Sequence, residues 1–247
     1  MLKRIIDIIA SAAGLLVFSP VIAVFMYLVW RQDKNSPFYM APRVGRDERM
    51  FTMVKLRSMV KNADKTGVDS TGANDMRITK VGHMIRRYKL DEITQLWNVL
   101  MGDMSLVGPR PNVKRETDLY TMEEKKLLSV RPGITDISSI VFSDEGDILK
   151  DKADPDIAYN QIIRPYKSRL GILYVENQNT LLDLRLIILT IVAILDRRSA
   201  LNAIQSILND LGAPNDIRAV ARRDAPLQPA PPPGATQIVT TREQKAA

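Results

Sequence analysis

The chain has 247 residues, a net charge of +7, one histidine and no cysteine. Without cysteine it has no disulfides, thiolate metal sites or cysteine nucleophile, and the single His83 supports neither a multi-histidine metal site nor a Ser-His relay. The length suits one sizeable domain plus an anchor, and the positive charge calls for an anionic partner: nucleic acid, an anionic membrane or a phosphorylated substrate.

Residues 8–30 carry no charge, with Ser19-Pro20 near their middle. As one helix they would be about 35 Å long, enough to cross a hydrocarbon core of about 30 Å. Pro20 removes a backbone donor and Ser19 is biased away from helical angles. Two half-helices, 8–18 and 21–30, are therefore the alternative to a kinked spanning helix. They would dip into one leaflet and return. Lys3 and Arg4 before the run, and Arg31 and Lys34 after it, suit entry and exit on one face. Ser19 could satisfy a backbone group freed at the bend. The run exceeds a signal-peptide core, and no small-x-small cleavage site follows it.

Residues 38–54 alternate apolar and polar character between Pro37, Pro42 and Gly45, which predicts a short hairpin or irregular strands. Residues 62–75 are polar and read as a mobile surface loop. Ile93, Leu96, Trp97 and Leu100 predict a helix from about Asp91 to before Gly102. A second helix is expected over 113–130, stopped by Arg131-Pro132-Gly133. Residues 144–147 read as an acidic turn, 156–175 as helix, and 200–211 as a further helix. The apolar stretch 181–195 is too short to span and is expected as a core or interfacial helix, leaning to the bilayer. From Pro226 the Pro-, Ala-, Gln- and Thr-rich tail is expected to be disordered.

No Walker A loop or Gly-x-Gly-x-x-Gly loop is present. Asp154-Pro155-Asp156 spells an Asp-x-Asp, which some glycosyltransferases use for a metal and a nucleotide diphosphate; a solvated helix start explains it more simply. Asp91 and Glu92 stand at an expected helix start, with Arg86, Arg87 and Lys89 just upstream. Such neighbours favour an ionised carboxylate, able to serve as nucleophile or Mg²⁺ ligand. Arg110, between Pro109 and Pro111, offers a planar fork for phosphate, and Lys55 and Arg57 add charge. Taken singly, each of these is also explained by a helix cap or a solvated basic face.

The ordered pieces KRIIDI with its Ser19-Pro20 break, FTMVKLRSM, RITKVGHMIRRYKLDEITQLWNVLMGDMSLVGPRP, RPGITD and YVENQNTLLDLRLIILT cover about residues 3–195. Together they resemble a bacterial sugar transferase of the monotopic phosphoglycosyl transferase family. The resemblance implies transfer of a sugar phosphate from a nucleotide sugar, expected to be a UDP-sugar, to polyprenyl phosphate, releasing nucleoside monophosphate and starting surface glycan (exopolysaccharide) assembly. It makes Asp91 the nucleophile and Mg²⁺ ligand, with Mg²⁺ as cofactor, and Glu92 its dyad partner. Arg110 and Arg86 match phosphate-binding positions, and Lys55, Arg57 and Arg87 join them as candidates. Ser19 and Pro20 match the break of a re-entrant helix.

The implied fold is mainly α with a small β component (α+β): a re-entrant membrane helix over 1–34, a cytoplasmic membrane-associated domain with interfacial amphipathic helices over 35–198, a helical extension over 199–225 and the tail 226–247. The implied place is the cytoplasmic face of the inner membrane, monotopic. Expected partners are both substrates, membrane lipids and downstream glycosyltransferases, with no nucleic acid. Two departures stand out. Asp136 and the segment after it differ from the Gly and Trp-x-Gln of many relatives, and Thr94 replaces a common proline. The extra N-terminal helices of larger relatives have no counterpart, so the resemblance implies a near-minimal catalytic unit. A membrane-tethered basic scaffold and an Asp154/Asp156-dependent glycosyltransferase are the rival functional readings.

Overall fold

The computed structural model describes residues 1–66 and 75–241. Most of the loop expected over 62–75 therefore lies outside the described residues. The architecture is mainly helical with a small strand component, the expected α+β mix.

Helix α1 spans Leu2–Asp33 without interruption. The expected division into two half-helices at Ser19-Pro20 is thus corrected. The reason is local. Pro20 cannot donate to the Leu16 carbonyl four residues earlier, and the Ser19 hydroxyl donates to that carbonyl instead, at 2.8 Å. The freed acceptor is satisfied and the helix continues.

Both ends of α1 dock on the same domain. At the first, Asp7 is buried and accepts from the Leu106 N–H at 3.0 Å and from the Ser105 hydroxyl at 3.2 Å. Lys3 reaches the Asp183 carboxylate at 2.7 Å and the Val107 carbonyl at 2.9 Å. Arg4 donates to the Val99 and Leu100 carbonyls. At the second end, buried Val29 packs with Leu56 and Ile85. Asp33 forms a two-pronged pair with Arg57 at 2.6 and 2.7 Å. Between these ends Leu16, Val17, Phe18, Val21 and Val24 remain exposed.

Strands β1 (Phe38–Val44) and β2 (Met50–Leu56) form the expected antiparallel hairpin, in register from Phe38↔Leu56 to Val44↔Met50. Helix α2 (Lys80–Arg87) is capped by Thr79, whose side chain accepts from the Gly82 N–H. The helix expected from Asp91 to before Gly102 is two short pieces, α3 (Leu90–Ile93) and α4 (Leu96–Met101), closed by left-handed Gly102.

A second sheet was not expected. β3 (Ser105–Val107) runs parallel to β4 (Gly133–Thr135). Gly108 and Gly133 allow the two chains to touch, because a Cβ on Gly133 would sit 2.1 Å from the Gly108 nitrogen.

The helix expected over 113–130 is also corrected. It resolves into α5 (Lys114–Thr117) and a 3₁₀ segment, Glu124–Ser129. Thr121 and Glu124 explain the restart: the Thr121 hydroxyl accepts from the Glu124 N–H at 3.0 Å and the Glu124 carboxylate from the Thr121 N–H at 3.1 Å, a capping box.

The rest is helical: α6 (Ile137–Val141), α7 (Glu145–Ile148) at the acidic turn, α8 (Pro155–Ile162), α9 (Arg164–Asn177), α10 (Thr180–Leu195), α11 (Arg197–Asp210) and α12 (Asn215–Arg222). The single helix expected over 156–175 is bent at Ile163, just before Pro165. The main core joins Ile140, Leu170, Tyr174, Leu186 and Ile204 from α6, α9, α10 and α11. On the outer face of α10, Leu181, Leu184, Ile188, Ile191 and Leu195 form an exposed apolar stripe.

The described part of the tail expected to be disordered, residues 226–241, has neither helix nor strand, but it is packed. Gln228, Pro231, Pro233 and Val239 offer carbonyls to Tyr166, Arg169, Thr121 and Gln161, and Val239 is buried. Backbone carbonyls suit this role because proline keeps its acceptor while losing its donor.

Candidate active site

The dyad is delivered by a tight joint between helices. After α2 the chain passes through Lys89 in the left-handed region, at φ 54°, and α3 begins at once. Two side chains then fix α3 and α4 onto the open edge of β2. The Thr94 hydroxyl lies 3.1 Å from the Val54 carbonyl. Asn98 accepts from the Val54 N–H at 2.9 Å and donates to the Thr52 carbonyl at 2.8 Å, replacing a missing strand neighbour. Lys55, next along β2, thereby comes to Asp91, with Nζ 3.8 Å from Oδ2.

Arg110 arrives from the other sheet. Gly108 donates to the Thr135 carbonyl and Gly133 to the Pro109 carbonyl, both at 2.9 Å. That pins the stiff Pro109-Arg110-Pro111 segment. Arg110 Nη1 lies 3.1 Å from Glu92 Oε1 and donates to the Ile134 carbonyl at 2.9 Å.

These groups line a pocket of about 330 Å³. Six cations border it (Arg43, Lys55, Arg86, Lys89, Arg110 and Lys167) against four carboxylates (Asp91, Glu92, Glu116 and Glu145). Burial pushes the Lys55 pKa below the ordinary lysine value; nearby Arg110 and Arg43 act in the same sense, and Asp91 and Glu92 oppose them. Burial would raise the Glu92 pKa, but Arg110, Lys89 and Lys55 outweigh it, so Glu92 is held ionised. Glu145 behaves alike: burial is overcome by Lys167, Arg110 and Lys89, with Lys167 Nζ at 2.7 Å.

Of the residues singled out by sequence, Asp91, Glu92, Arg110, Arg86 and Lys55 meet at this pocket. Arg57 does not. It is buried and committed to Asp33 and the Ser36 carbonyl, so its expected role in phosphate binding is corrected to one in docking α1. Arg87 is also outside the pocket, beside the Tyr88 ring at 5.7 Å. Ser19 and Pro20 lie on the exposed middle of α1. Asp154 caps α8, accepting from the Asp156 and Ile157 N–H groups, which is the helix-start reading of Asp-x-Asp. Sequence reasoning missed Arg43, Glu145, Tyr159 and Lys167. They come from separate elements, and only tertiary packing assembles them.

A divalent cation fits the donor set in one way. No group of three or more metal-type side chains occurs among the described residues. Mg²⁺, however, commonly takes one or two carboxylates and completes its shell with substrate phosphate and water. Asp91, at only a long distance from Lys55, has oxygen capacity for that mode.

A carboxylate pair set among cations, on a domain whose α1 and α10 expose apolar faces compatible with membrane association, makes a site suited to phosphate chemistry. The chain belongs to the bacterial sugar transferase family, which it matches over residues 1–197. It is 34% identical over 163 residues to the UDP-N-acetylgalactosamine-undecaprenyl-phosphate N-acetylgalactosaminephosphotransferase of Aeromonas hydrophila, covering 64% of this chain and 38% of that protein. It is 40% identical over 149 residues to the undecaprenyl-phosphate galactose phosphotransferase of Salmonella typhimurium, covering 54% and 31%. With the exopolysaccharide production protein ExoY of Rhizobium meliloti the identity is 36% over 155 residues, covering 57% and 69%. The chain spans about a third of the length of several longer relatives.

Proposed function

We propose that this protein is a phosphoglycosyl transferase that moves a sugar phosphate from a nucleotide diphosphate sugar, a UDP-sugar by preference, to polyprenyl phosphate. The observation that carries the reading is the Asp91–Glu92 pair opening into a pocket with more cations than carboxylates. The names of the Aeromonas and Salmonella relatives support the same lipid acceptor.

In the proposed reaction an Asp91 oxygen attacks the phosphorus nearer the sugar. The bond from that phosphorus to the bridging oxygen breaks, and nucleoside monophosphate leaves with the electron pair. A phosphosugar-aspartyl ester remains. A polyprenyl phosphate oxygen then attacks the same phosphorus, forming the diphosphate and returning Asp91 as a carboxylate. Lys55 and Arg110 lie where charge grows on the phosphoryl oxygens, and fixed cations there lower the barrier by stabilising that charge. Glu92 holds the Arg110 fork in place. Mg²⁺, held by Asp91 with the diphosphate oxygens, would neutralise part of the donor's charge.

The acceptor's phosphate sits at a bilayer surface, so the domain must sit there too. We propose a monotopic seat on the cytoplasmic face. Support comes from α1, whose two ends dock on one domain while its apolar middle stays exposed, and from the apolar stripe of α10. A helix with both ends held on one domain is suited to dipping into a leaflet rather than carrying the chain across it. Identifying the released nucleotide tests the reaction. Monophosphate is expected; diphosphate would return the Asp-x-Asp reading, and no release would return the scaffold.

A further inference from the structure

The family match ends at residue 197, yet the pocket wall is gripped from beyond that point. Arg223 follows α12, in the left-handed region at φ 55°. Its Nη2 lies 3.1 Å from Asp144 Oδ2, and its guanidinium stands 5.5 Å from the centre of the Phe142 ring. The Arg223 side chain is only 9% exposed, so this pair is largely shielded from solvent. Arg197, at the start of α11, forms an ion pair with the other oxygen of the same carboxylate at 2.9 Å, without hydrogen-bond geometry, and donates to the Ser143 hydroxyl at 3.1 Å and the Val141 carbonyl at 3.2 Å. Asp144 is thus clamped between two arginines. The segment it belongs to supplies Phe142, Ser143, Glu145 and Gly146 to the pocket.

This wall differs in chemistry from the one that carries the dyad. It offers a hydroxyl, a carboxylate already paired with Lys167, and aromatic surface from Phe142 and nearby Tyr159. Hydroxyls and carboxylates recognise neutral polyhydroxyl or base groups, while guanidinium and ammonium groups recognise phosphate.

We propose that Arg223 is a positioning residue which, through Asp144, sets the wall that grips the uncharged sugar or nucleoside part of the donor. The inference rests on the phosphoglycosyl transferase reading. Asp144 couples the C-terminal extension to donor recognition and leaves the attacking carboxylate untouched. The clamp therefore acts on donor affinity and selectivity, not on the chemical step or on the lipid acceptor.

The test uses the full chain in lipid nanodiscs, with each substrate varied in turn against a saturating level of the other. Arg223→Ala is expected to raise the donor KM about tenfold, a size ordinary for a lost buried coupling, with kcat within about twofold. The KM for polyprenyl phosphate stays unchanged. Arg223→Lys, which keeps the cation facing Asp144, recovers most of the donor KM. Should Arg223→Ala unfold, Asp144→Asn is read in its place and is expected to raise donor KM likewise. An unchanged donor KM in a folded variant overturns the proposal. So does a fall in kcat alone, or an equal change in both KM values. If the unaltered protein turns over no nucleotide sugar, the functional reading has failed instead, which separates the two.

Discussion

The Lys55 ammonium stands 3.8 Å from the Asp91 carboxylate, within ion-pair range but beyond a normal hydrogen bond. The spacing leaves the carboxylate free to attack while a positive charge stays beside it. It exists because Thr94 and Asn98 bind the edge of β2. Lys55 is half-buried, and loss of hydration pushes its pKa below the ordinary lysine value.

The alkaline limb of the kcat/KM profile is therefore expected below the ordinary lysine range, as Lys55 loses its proton. Lys55→Arg should move that limb upward, because arginine stays charged. Unfolded lysine binds its proton more tightly, so protonated Lys55 costs stability below its folded pKa, and that cost is relieved as pH rises toward the unfolded value. A limb that stays in place in Lys55→Arg would assign it to another group.

Arg110 bridges Glu92 and the Ile134 carbonyl with one planar group. Arg110→Lys keeps the charge but loses the fork, and kcat/KM should fall about 10²-fold, the scale of a misplaced charge-stabilising group. Steady-state kinetics with a folded, membrane-bound variant checks this. A change below about threefold, well under that scale, would remove Arg110 from the account.

Arg57 has the opposite profile. Arg57→Ala should lower stability by about 1–2 kcal/mol, since it strips a charge-assisted hydrogen bond from Asp33. The donor KM should not move. The Arg57 hydrogen bond lowers the Asp33 pKa, so the stability it adds is present above the unfolded aspartate value and is lost as pH falls through the folded one. Thermal unfolding with paired kinetics decides: a raised donor KM without lost stability would restore Arg57 to the phosphate site.

Ser19 and Pro20 form a testable couple. Ser19→Ala leaves the Leu16 carbonyl without its donor in an apolar setting, at a cost of about 1 kcal/mol or more. Ser19→Ala with Pro20→Ala should recover that loss, because replacing the proline brings back the backbone N–H at that position. Additive losses in unfolding measurements would break this explanation of the continuous helix.

The hairpin, the Asp91–Glu92 and Pro109-Arg110-Pro111 motifs and the α10 and α11 helices are legible in the sequence because each rests on local periodicity, turn chemistry or a short run of charged residues. The β3–β4 pair is not, since three-residue strands show no alternation and their pairing depends on the Gly108–Gly133 contact. The Thr121-x-x-Glu124 spacing of a capping box lies in the sequence, but the reading of 113–130 as one helix passes over it, and only the structure shows the restart there. Lys3 and Arg4 look like flanking charges for a membrane. Only the fold shows that they hold α1 to Asp183 and to the end of α4. Arg57 reads as one more basic residue until Asp33, twenty-four positions away, claims it. Within the site, residues adjacent to the dyad were readable, whereas Arg43, Glu145, Tyr159 and Lys167 arrive by long-range packing.

The account turns on a covalent bond to Asp91. Intact-protein mass spectrometry after adding donor without polyprenyl phosphate tests it most directly. The expected result is a mass gain of one sugar phosphate, mapped to the peptide carrying Asp91, discharged by polyprenyl phosphate and absent in Asp91→Asn. An adduct that persists in Asp91→Asn, or full turnover by that variant, contradicts it.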